Sequence, residues 1–342
     1  EKLLTDEPRN TELIVEAART WIRYGHLLRV RMGDPAGSRR AYERAIALSK
    51  QGRQITPSDI NFDLLEAVSW LNLATLVKAD KKLDEALALT ERAIQMQRAV
   101  LERVPDSRFA RNDLALSLDY QGQLLYEAKQ PVAARLAFEE ALELRSEGID
   151  DPKVTNDVLY DYGTAHFHLA VFLSQSPAND ARTEAHFRYA AAIYSRLLQR
   201  SPNVPANYSH VATMWNRLGR LFTRQGRVSD AYAAFVESIR VNSQAVRAFP
   251  NYPHIRVQVA INRVLLAENL LSTGDPVEAG QQLDQAIVEL ENVDATNQDY
   301  LRFRPRLLRV AAELAGWYEQ FGDAPAALEA RLRCGRAQMI LP

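Results

Sequence analysis

A period of about 48 residues runs through the chain of 342 residues and limits what it can fold into. Prolines mark this period, because they recur at intervals of 47 to 50 residues and each opens a short polar turn. These prolines are Pro8, Pro57, Pro105, Pro152, Pro202 and Pro250. A further turn is expected near residue 298, where Asn297-Gln298-Asp299 keeps the turn chemistry without the proline. A chain of this length that repeats one short unit is predicted to form an elongated array.

A second pattern lies between the turns and predicts a closely packed helix in every unit. A small residue is followed by a larger one four positions on, and by another small residue three positions later. The sets are Ser38, Tyr42, Ala45; Ala86, Thr90, Ala93; Ala134, Phe138, Ala141; Ala185, Tyr189, Ala192; Ala231, Phe235, Ser238; Ala279, Leu283, Ala286; and Ala327, Arg331, Cys334. Spacings of four and three place each set on one helix face, where small and large side chains let two helices interlock.

Upstream of each set, a different stripe predicts a first helix. Its clearest example is Trp215-x-x-Leu218-Gly219-x-x-Phe222. Short breaker turns such as Gln225-Gly226 separate the two helices, and the fourth unit has a longer turn from Ser174 to Asp180. The unit is therefore predicted to be helix, tight turn, helix and proline turn, repeated about seven times. The tryptophans at repeat spacing are interpreted as core residues. They are Trp21, Trp70, Trp215 and Trp317.

This pattern resembles the tetratricopeptide repeat (TPR), whose two helices carry an aromatic residue, Leu-Gly, Tyr, Ala, Phe, Ala and Pro at fixed positions. The unit from Trp215 to Ser238 fills most of these slots, and the resemblance covers almost the whole chain. It implies an all-α fold, a right-handed TPR superhelix (α-solenoid) of about seven antiparallel helical hairpins. The family's usual period is 34 residues, so the longer period here implies extended helices of about 20 residues. Such long-period arrays resemble those of bacterial, planctomycete-type serine/threonine kinases.

The resemblance implies one solenoid domain over residues 1–342. Its repeats are expected at residues 8–56, 57–104, 105–151, 152–201, 202–249, 250–297 and 298–342. Glu1 to Glu7 aligns with the end of a second helix, so the chain is expected to begin inside a preceding helix of a longer protein. Arg331 and Cys334 occupy slots that are apolar or small elsewhere, as expected for a final repeat that faces water. Cys334 is interpreted as a small structural residue.

The sequence carries none of the common enzyme motifs, such as Gly-rich phosphate loops, His-Glu-x-x-His or Gly-x-Ser-x-Gly. In His166-Phe167-His168 the two rings are expected on nearly opposite sides of a helix, where they cannot chelate one ion. Surface or half-buried histidines are the favoured interpretation. No enzyme activity, catalytic residue, metal site or cofactor is predicted. The scan also finds no long apolar run and no leader, so a cytoplasmic location without membrane binding is expected.

The charged residues are segregated along the chain, although 42 Lys and Arg nearly balance 43 Asp and Glu. Residues 113–161 contain eleven acids and four bases, a balance of −7. Residues 182–263, which we call the arginine band, contain twelve arginines and three acids, a balance of +9. Residues 264–301 contain eight acids and no base, a balance of −8. Arginine presents a planar fork that suits carboxylate or phosphate groups.

In TPR proteins the first helices line the concave surface, and in the fifth unit the corresponding positions are polar and basic. The resulting candidate ligand-binding residues are Thr213, Asn216, Arg217, Arg220, Thr223 and Arg224. The equivalent set in the third unit is acidic and includes Asp119. The family's carboxylate clamp uses Lys and Asn, whereas the matching slots here hold pairs such as Arg23 and Leu27. A clamp for chaperone tails is therefore not expected.

The leading hypothesis is a non-catalytic protein–protein interaction scaffold that binds a peptide or protein partner on the concave face. An acidic or phosphorylated partner suits the arginine band. One alternative is a regulatory or oligomerisation segment of a larger signalling protein, such as a bacterial Ser/Thr kinase. Nucleic-acid binding is less favoured, because the flanking acidic bands would repel a long polyanion. The arginine band can also be interpreted as a solvated surface that pairs with the acidic bands, which leaves self-association open.

Overall fold

The alternation of amphipathic stretches and short turns produces a succession of antiparallel helices. The computed structural model describes residues 2–146, 149, 153–291, 293 and 298–339, and every regular element in these ranges is helical. The α-helices are α1 (Lys2–Asp6), α2 (Thr11–Leu27), α3 (Pro35–Ile55), α4 (Ile60–Ala79), α5 (Leu83–Arg103), α6 (Arg108–Glu127), α7 (Pro131–Ser146), α8 (Asn156–Leu173), α9 (Asp180–Arg200), α10 (Pro205–Arg224), α11 (Val228–Ala248), α12 (Pro253–Ser272), α13 (Pro276–Leu290), α14 (Gln298–Gln320) and α15 (Ala324–Met339).

Seven helical hairpins account for all of these helices except α1. They are α2–α3, α4–α5, α6–α7, α8–α9, α10–α11, α12–α13 and α14–α15. Their helices contain 15 to 23 residues, in line with the expected lengthening. The prediction of an all-α fold built from about seven hairpins with extended helices is confirmed for the described residues.

The chain divides into two units, and each is described by itself. Unit 1 is Glu1–Pro152 and contains α1 to α7, whereas unit 2 is Lys153–Pro342 and contains α8 to α15. In unit 1 the buried residues form several small apolar clusters between neighbouring helices. In unit 2 a larger cluster extends from Ala170 to Ala330, so neighbouring hairpins share one core. Sharing a core in this way is the usual source of stability in repeat proteins.

The turns inside most hairpins use one residue in the left-handed region to end the first helix. At the end of α10, Gly226 has φ +71°, its N–H donates to Thr223 O at 3.1 Å, and the Arg227 N–H donates to Phe222 O at 2.9 Å. This pair of bonds is a Schellman motif, which satisfies the last carbonyls of the helix. Lysines hold the same conformation in two turns, Lys81 at φ 62° and Lys129 at φ 61°.

The turns between hairpins contain the periodic prolines, and polar residues after them cap the next helix. Asp59, for example, follows Pro57 and accepts from the Asn61 N–H at 2.9 Å at the start of α4. Pro152 and Asn297 lie outside the described residues. The turn expected over Asn297-Gln298-Asp299 is wrong for its last two residues, because α14 begins at Gln298. Acidic residues are common both in loop turns and in the first turn of a helix, so the sequence of this segment did not distinguish a turn from a helix start.

The small–large–small sets are buried where they were predicted in most hairpins, but the α9 set is shifted by two residues. The small–large–small set that is buried in α9 is Thr183, Phe187 and Ala190. Ala185 and Ala192 are exposed, and Tyr189 is 61% exposed. Both sets satisfy the four-and-three spacing in an alanine-rich helix, and the long turn after α8 obscured the correct phase. At the other end, Arg331 is exposed, and the Cys334 side chain lies outside the described residues.

The four tryptophans are half-buried, so their assignment to the core is correct only in part. Trp21, Trp70 and Trp215 pack against buried clusters, whereas Trp317 stacks on Phe321 with ring centroids 4.2 Å apart. The Arg92 guanidinium lies over the Trp70 ring, 4.2 Å from its centroid.

One helix in the described ranges, α4, is long and apolar enough to cross a membrane by length and composition. More than half of its apolar stretch is buried, as in the core helix of a helical array. It also carries Glu66, which is buried and forms an ion pair with Arg53 at 2.9 Å. Asp63 and Glu66 interrupt this run, so the sequence alone predicted no long apolar stretch.

Candidate functional site

Helix α10 carries all six predicted site residues. It begins at Pro205, where the missing N–H of proline costs nothing. Leu218, Gly219 and Phe222 are buried against the neighbouring helices. An α-helix returns to the same face every three to four residues. Thr213, Arg220, Thr223 and Arg224 therefore lie on an exposed polar face, away from these buried residues.

The six residues differ in their exposure. Thr213, Arg220, Thr223 and Arg224 are exposed, and Asn216 and Arg217 are half-buried.

Asn216 belongs to a polar relay between three helices. Its amide nitrogen donates to the side-chain oxygen of Asn262 on α12. The Asn262 amide nitrogen donates to Ser238 Oγ at 2.8 Å, and Ser238 in turn donates to Ala212 O at 2.7 Å. This relay satisfies buried polar groups and fixes α10 against α11 and α12, so Asn216 has a packing role.

Arg224 is tied to the preceding hairpin. Its guanidinium donates to Ser174 O at 2.6 Å and forms an ion pair with Asp180. The long turn predicted from Ser174 to Asp180 thus supplies the partners that hold this side chain. Thr223 is also engaged, because its hydroxyl donates to Gly219 O at 2.9 Å.

Arg217 and Arg220 have no hydrogen-bond or ion-pair partner within the described residues. Burial, together with the neighbouring charge of Arg220, lowers the pKa of Arg217. The only ring near the Arg217 guanidinium, among those described, is that of Phe167 at 5.9 Å. Two adjacent cations without a counter-charge create a local positive potential that an anion would relieve.

A cavity of about 200 Å³ lies beside these two arginines. Ser174, Phe187 and Leu221 supply its remaining walls, together with Arg224. Three guanidinium groups therefore line one small, partly apolar space, which is a setting that strengthens charge-assisted hydrogen bonds to an anion.

A second cavity of about 220 Å³ lies along the same helix face and shares Arg220 and Arg224 with the first. Asn269 of α12 lines it, is 3% exposed, and has no partner for either polar atom of its amide within the described residues. Buried side-chain amides are normally satisfied, so this amide lacks the partner that such a group usually has.

Glu268 also lines the second cavity but is neutralised. It accepts from Arg309 at 2.6 Å and from Arg306 at 3.2 Å. Burial alone would raise the pKa of the Glu268 carboxyl, but the hydrogen bonds from Arg309 and Arg306 outweigh it and the pKa is lowered. The carboxylate therefore stays ionised and paired, and it does not cancel the charge of Arg220.

Much of the arginine band is paired with acids elsewhere on the surface of unit 2. The pairs are Arg188 with Glu184, Arg227 with Glu184 and Asp230, Arg240 with Glu237, and Arg256 with Glu289. The interpretation of the band as a solvated, self-paired surface thus applies to these residues. It does not apply to Arg217 and Arg220, whose charges face the cavities unpaired within the described part of the chain.

No protein-family profile and no curated protein matches the sequence of this chain. Several solved structures resemble its fold. The nuclear import adaptor Nro1 of S. pombe has a TM-score of 0.60 and 16% identity, covering 86% of this chain and 98% of that one. The apo form of RapI has a TM-score of 0.55 and 12% identity, covering 94% of this chain and 98% of that one.

A third similar structure is the STAND protein PH0952 of Pyrococcus horikoshii, whose sensor consists of tetratricopeptide repeats. It has a TM-score of 0.57 and 14% identity, covering 99% of this chain and 44% of that one. The fold is of the TPR type. At these identities the likeness extends to the fold alone.

Sequence reasoning missed Asn269, which lies on a different first helix from the predicted residues. A signal was present, because Glu268 and Asn269 together interrupt the apolar run from Val264 to Leu271. The prediction that Asp119 lies on an acidic ligand-binding face in the third unit is wrong. Asp119 is 2% exposed and forms an ion pair with the buried Arg145, so its charge is neutralised inside the α6–α7 hairpin.

The expectation of surface or half-buried histidines is confirmed for His168, which is half-buried, and is wrong for His166. His166 is buried, and its Nδ1 lies 2.9 Å from Nδ1 of His186 on α9. Burial, and secondarily the charge of His186, lowers the pKa of His166 to about 4. One of the two Nδ1 atoms donates and the other accepts in this contact, which the neutral form of His166 allows. No group of three potential metal ligands occurs within the described residues.

Proposed function

We propose that this chain is a non-catalytic interaction protein whose unit 2 binds an acidic or phosphorylated segment of a partner polypeptide. The observation that carries the proposal is that Arg220 and Asn269 line the same cavity. Neither side chain has a hydrogen-bond or ion-pair partner in the described residues. The bound segment would lie along the first helices, where the six predicted residues of α10 are found.

The two side chains supply complementary chemistry. A guanidinium donates two parallel hydrogen bonds to a carboxylate or phosphate, and Arg217 and Arg220 offer two such forks. A side-chain amide has one acceptor and two donors, so Asn269 can pair with both the C=O and the N–H of a peptide group. An unsatisfied buried amide costs about 1–3 kcal/mol, which a bound peptide would recover.

The size of the cavities favours side chains over whole small molecules. Their volumes of about 200 and 220 Å³ fall below the roughly 300–1,000 Å³ typical of pockets for drug-sized ligands. Two adjacent cavities that share Arg220 and Arg224 suit successive residues of one extended segment. The description of Nro1 as an import adaptor agrees with a protein partner for a fold of this kind.

A second candidate function is that of a regulatory or oligomerisation segment within a larger signalling protein. The similarity to PH0952 favours it, because this chain matches less than half of that signalling ATPase. The two functions are compatible, since a sensor segment of this type needs a ligand. Size-exclusion chromatography with light scattering tests the oligomerisation part, and a monomer at all concentrations would contradict it.

An array of short peptides tests the primary proposal. Phosphoserine-containing and Glu-rich peptides are expected to bind, and neutral and Lys-rich peptides of the same length are not. Arg220→Gln and Asn269→Ala should each weaken the selected peptide. Single-stranded DNA and RNA oligonucleotides belong in the same experiment, and nucleic acid binding more tightly than every acidic peptide would overturn the proposal.

A further inference from the structure

A cavity of about 240 Å³ in unit 1 lies among the first helices α2, α4 and α6. It is mainly apolar and contains a carboxylate, whereas the two cavities of unit 2 are lined by arginines. On α4 the cavity is lined by the aliphatic side chains Ile60, Leu64, Leu65 and Val68 and by Asn61, whose amide nitrogen donates to Asp59. Phe109 of α6 stands at the rim, with 81% of its side chain exposed. An exposed phenylalanine beside an aliphatic cavity is a surface that would bury apolar area on binding a partner.

One carboxylate, Asp113, lies in this apolar wall. It follows Phe109 by one helical turn, so both side chains point to the same side of α6. Within the described residues Asp113 has no hydrogen bond and no ion pair. Arg19 also lines the cavity, but its guanidinium is bound to Glu16 at 2.6 Å. Among the described residues, Asp113 is therefore a carboxylate in the cavity that forms no ion pair.

Burial raises the pKa of Asp113 to about 6. Asp113 is half-buried, so its ionised carboxylate loses part of its water against the aliphatic side chains without gaining a partner, which is unfavourable. A cation bound beside it would restore the missing interaction and lower this pKa again.

We propose that this cavity receives a lysine or arginine side chain, flanked by an apolar residue, from a partner polypeptide. The aliphatic wall suits the methylene stem of such a side chain, whose charged head would meet Asp113. Phe109 offers its ring face to the same cation. The volume accommodates one or two side chains and is small for a complete drug-sized ligand. This site is in unit 1 and is independent of the acidic-segment site proposed in unit 2.

The test uses two blocked pentapeptides in isothermal titration of the full chain at neutral pH. One has a central lysine between leucines, and the other has norleucine in place of the lysine. The lysine peptide is expected to bind at least about tenfold more tightly, as for other charge pairs in apolar surroundings. Asp113→Asn should remove this preference. Asp84→Asn is the matched control, because it removes an exposed carboxylate of the same unit that does not line the cavity.

Several outcomes would overturn the inference. Equal binding of the two peptides, or a lysine preference that survives Asp113→Asn, would show that the carboxylate does not select the cation. Butylammonium binding as tightly as the lysine peptide would show that the cavity takes a free amine and that the flanking leucines contribute nothing. Circular dichroism melting of Asp113→Asn checks that its fold is intact, so a lost preference reports on binding.

Discussion

The ring of Phe235 on α11 lies directly against Gly219 on α10. A Cβ built on Gly219 would fall 2.7 Å from Cε1 of that ring, closer than real atoms approach. The same arrangement recurs between Gly25 and Tyr42, and between Gly122 and Phe138. Glycine in these first helices is therefore a packing requirement of the hairpin, because it lets an aromatic ring rest on the backbone.

Gly219→Ala should therefore destabilise unit 2 relative to Gly316→Ala. A Cβ on Gly316, which is also in a helix, meets nothing within 4 Å. Both variants gain about 0.5–1 kcal/mol of helix propensity, so the difference between them isolates the clash. Overpacking typically costs about 1–3 kcal/mol, and the unfolding free energies of the variants should differ by that amount. Identical urea midpoints for the two variants would contradict the contact between Gly219 and Phe235.

Lys129→Gly should stabilise unit 1. The turn after α6 holds Lys129 at φ 61°, a conformation that disfavours side chains with a Cβ. The expected gain in unfolding free energy is about 0.5–1 kcal/mol, because glycine removes this strain but loses more entropy on folding. Lys129→Ala is the control, since it removes the charge and keeps the Cβ. Thermal melts that place both variants at the same higher midpoint would attribute the gain to the charge.

The register of α9 can be tested with two aromatic residues. Phe187 is 2% exposed and Tyr189 is 61% exposed, although the sequence pattern predicted Tyr189 as the packed ring. Phe187→Ala should lower the unfolding free energy by about 3–5 kcal/mol because it leaves a cavity in the core. Tyr189→Ala should cost less than about 1 kcal/mol, as expected for a surface position. The opposite ranking in denaturant unfolding would restore the register predicted from the sequence.

Asp113 should make the stability of unit 1 depend on pH. Its folded-state pKa of about 6 lies above the ordinary value of 3.8, so the folded chain holds the proton more tightly. The unfolding free energy contributed by this group therefore falls as pH rises from about 4 to 6 and stays low above that window. Asp113→Asn should raise the stability at about pH 7 by about 1–2 kcal/mol and leave it unchanged at about pH 4. A pH-independent effect of this substitution would contradict the raised pKa.

Periodicity alone predicted the hairpins, because each unit must bury the same stripes against its neighbours. Its failures have physical causes. In α9 two alanine-rich faces satisfy one spacing, so Phe187 could not be distinguished from Tyr189 without the turn geometry. At Gln298 the chemistry of a polar turn coincides with that of a helix start.

The candidate site could be predicted only as far as one helix. The spacing placed Arg220 and Arg224 on one face of α10 with Arg217 flanking it, and the charge count identified the arginine band. Which arginines are already paired depends on contacts between hairpins, such as that of Arg224 with Asp180. The role of Asn269 likewise depends on the residues of other helices around its amide, and the sequence pattern of one helix cannot predict them.

The central claim is tested most directly by the affinity of the best acidic or phosphorylated peptide for four forms of the chain. These are the native chain, Arg220→Gln, Asn269→Ala and Arg247→Gln, where Arg247 is an exposed member of the arginine band that lines neither cavity. Fluorescence anisotropy should show binding weakened at least about tenfold by the first two substitutions and nearly unchanged by the third. Equal losses in all three variants would reveal only diffuse attraction to a basic surface and would contradict a built site at Arg220 and Asn269.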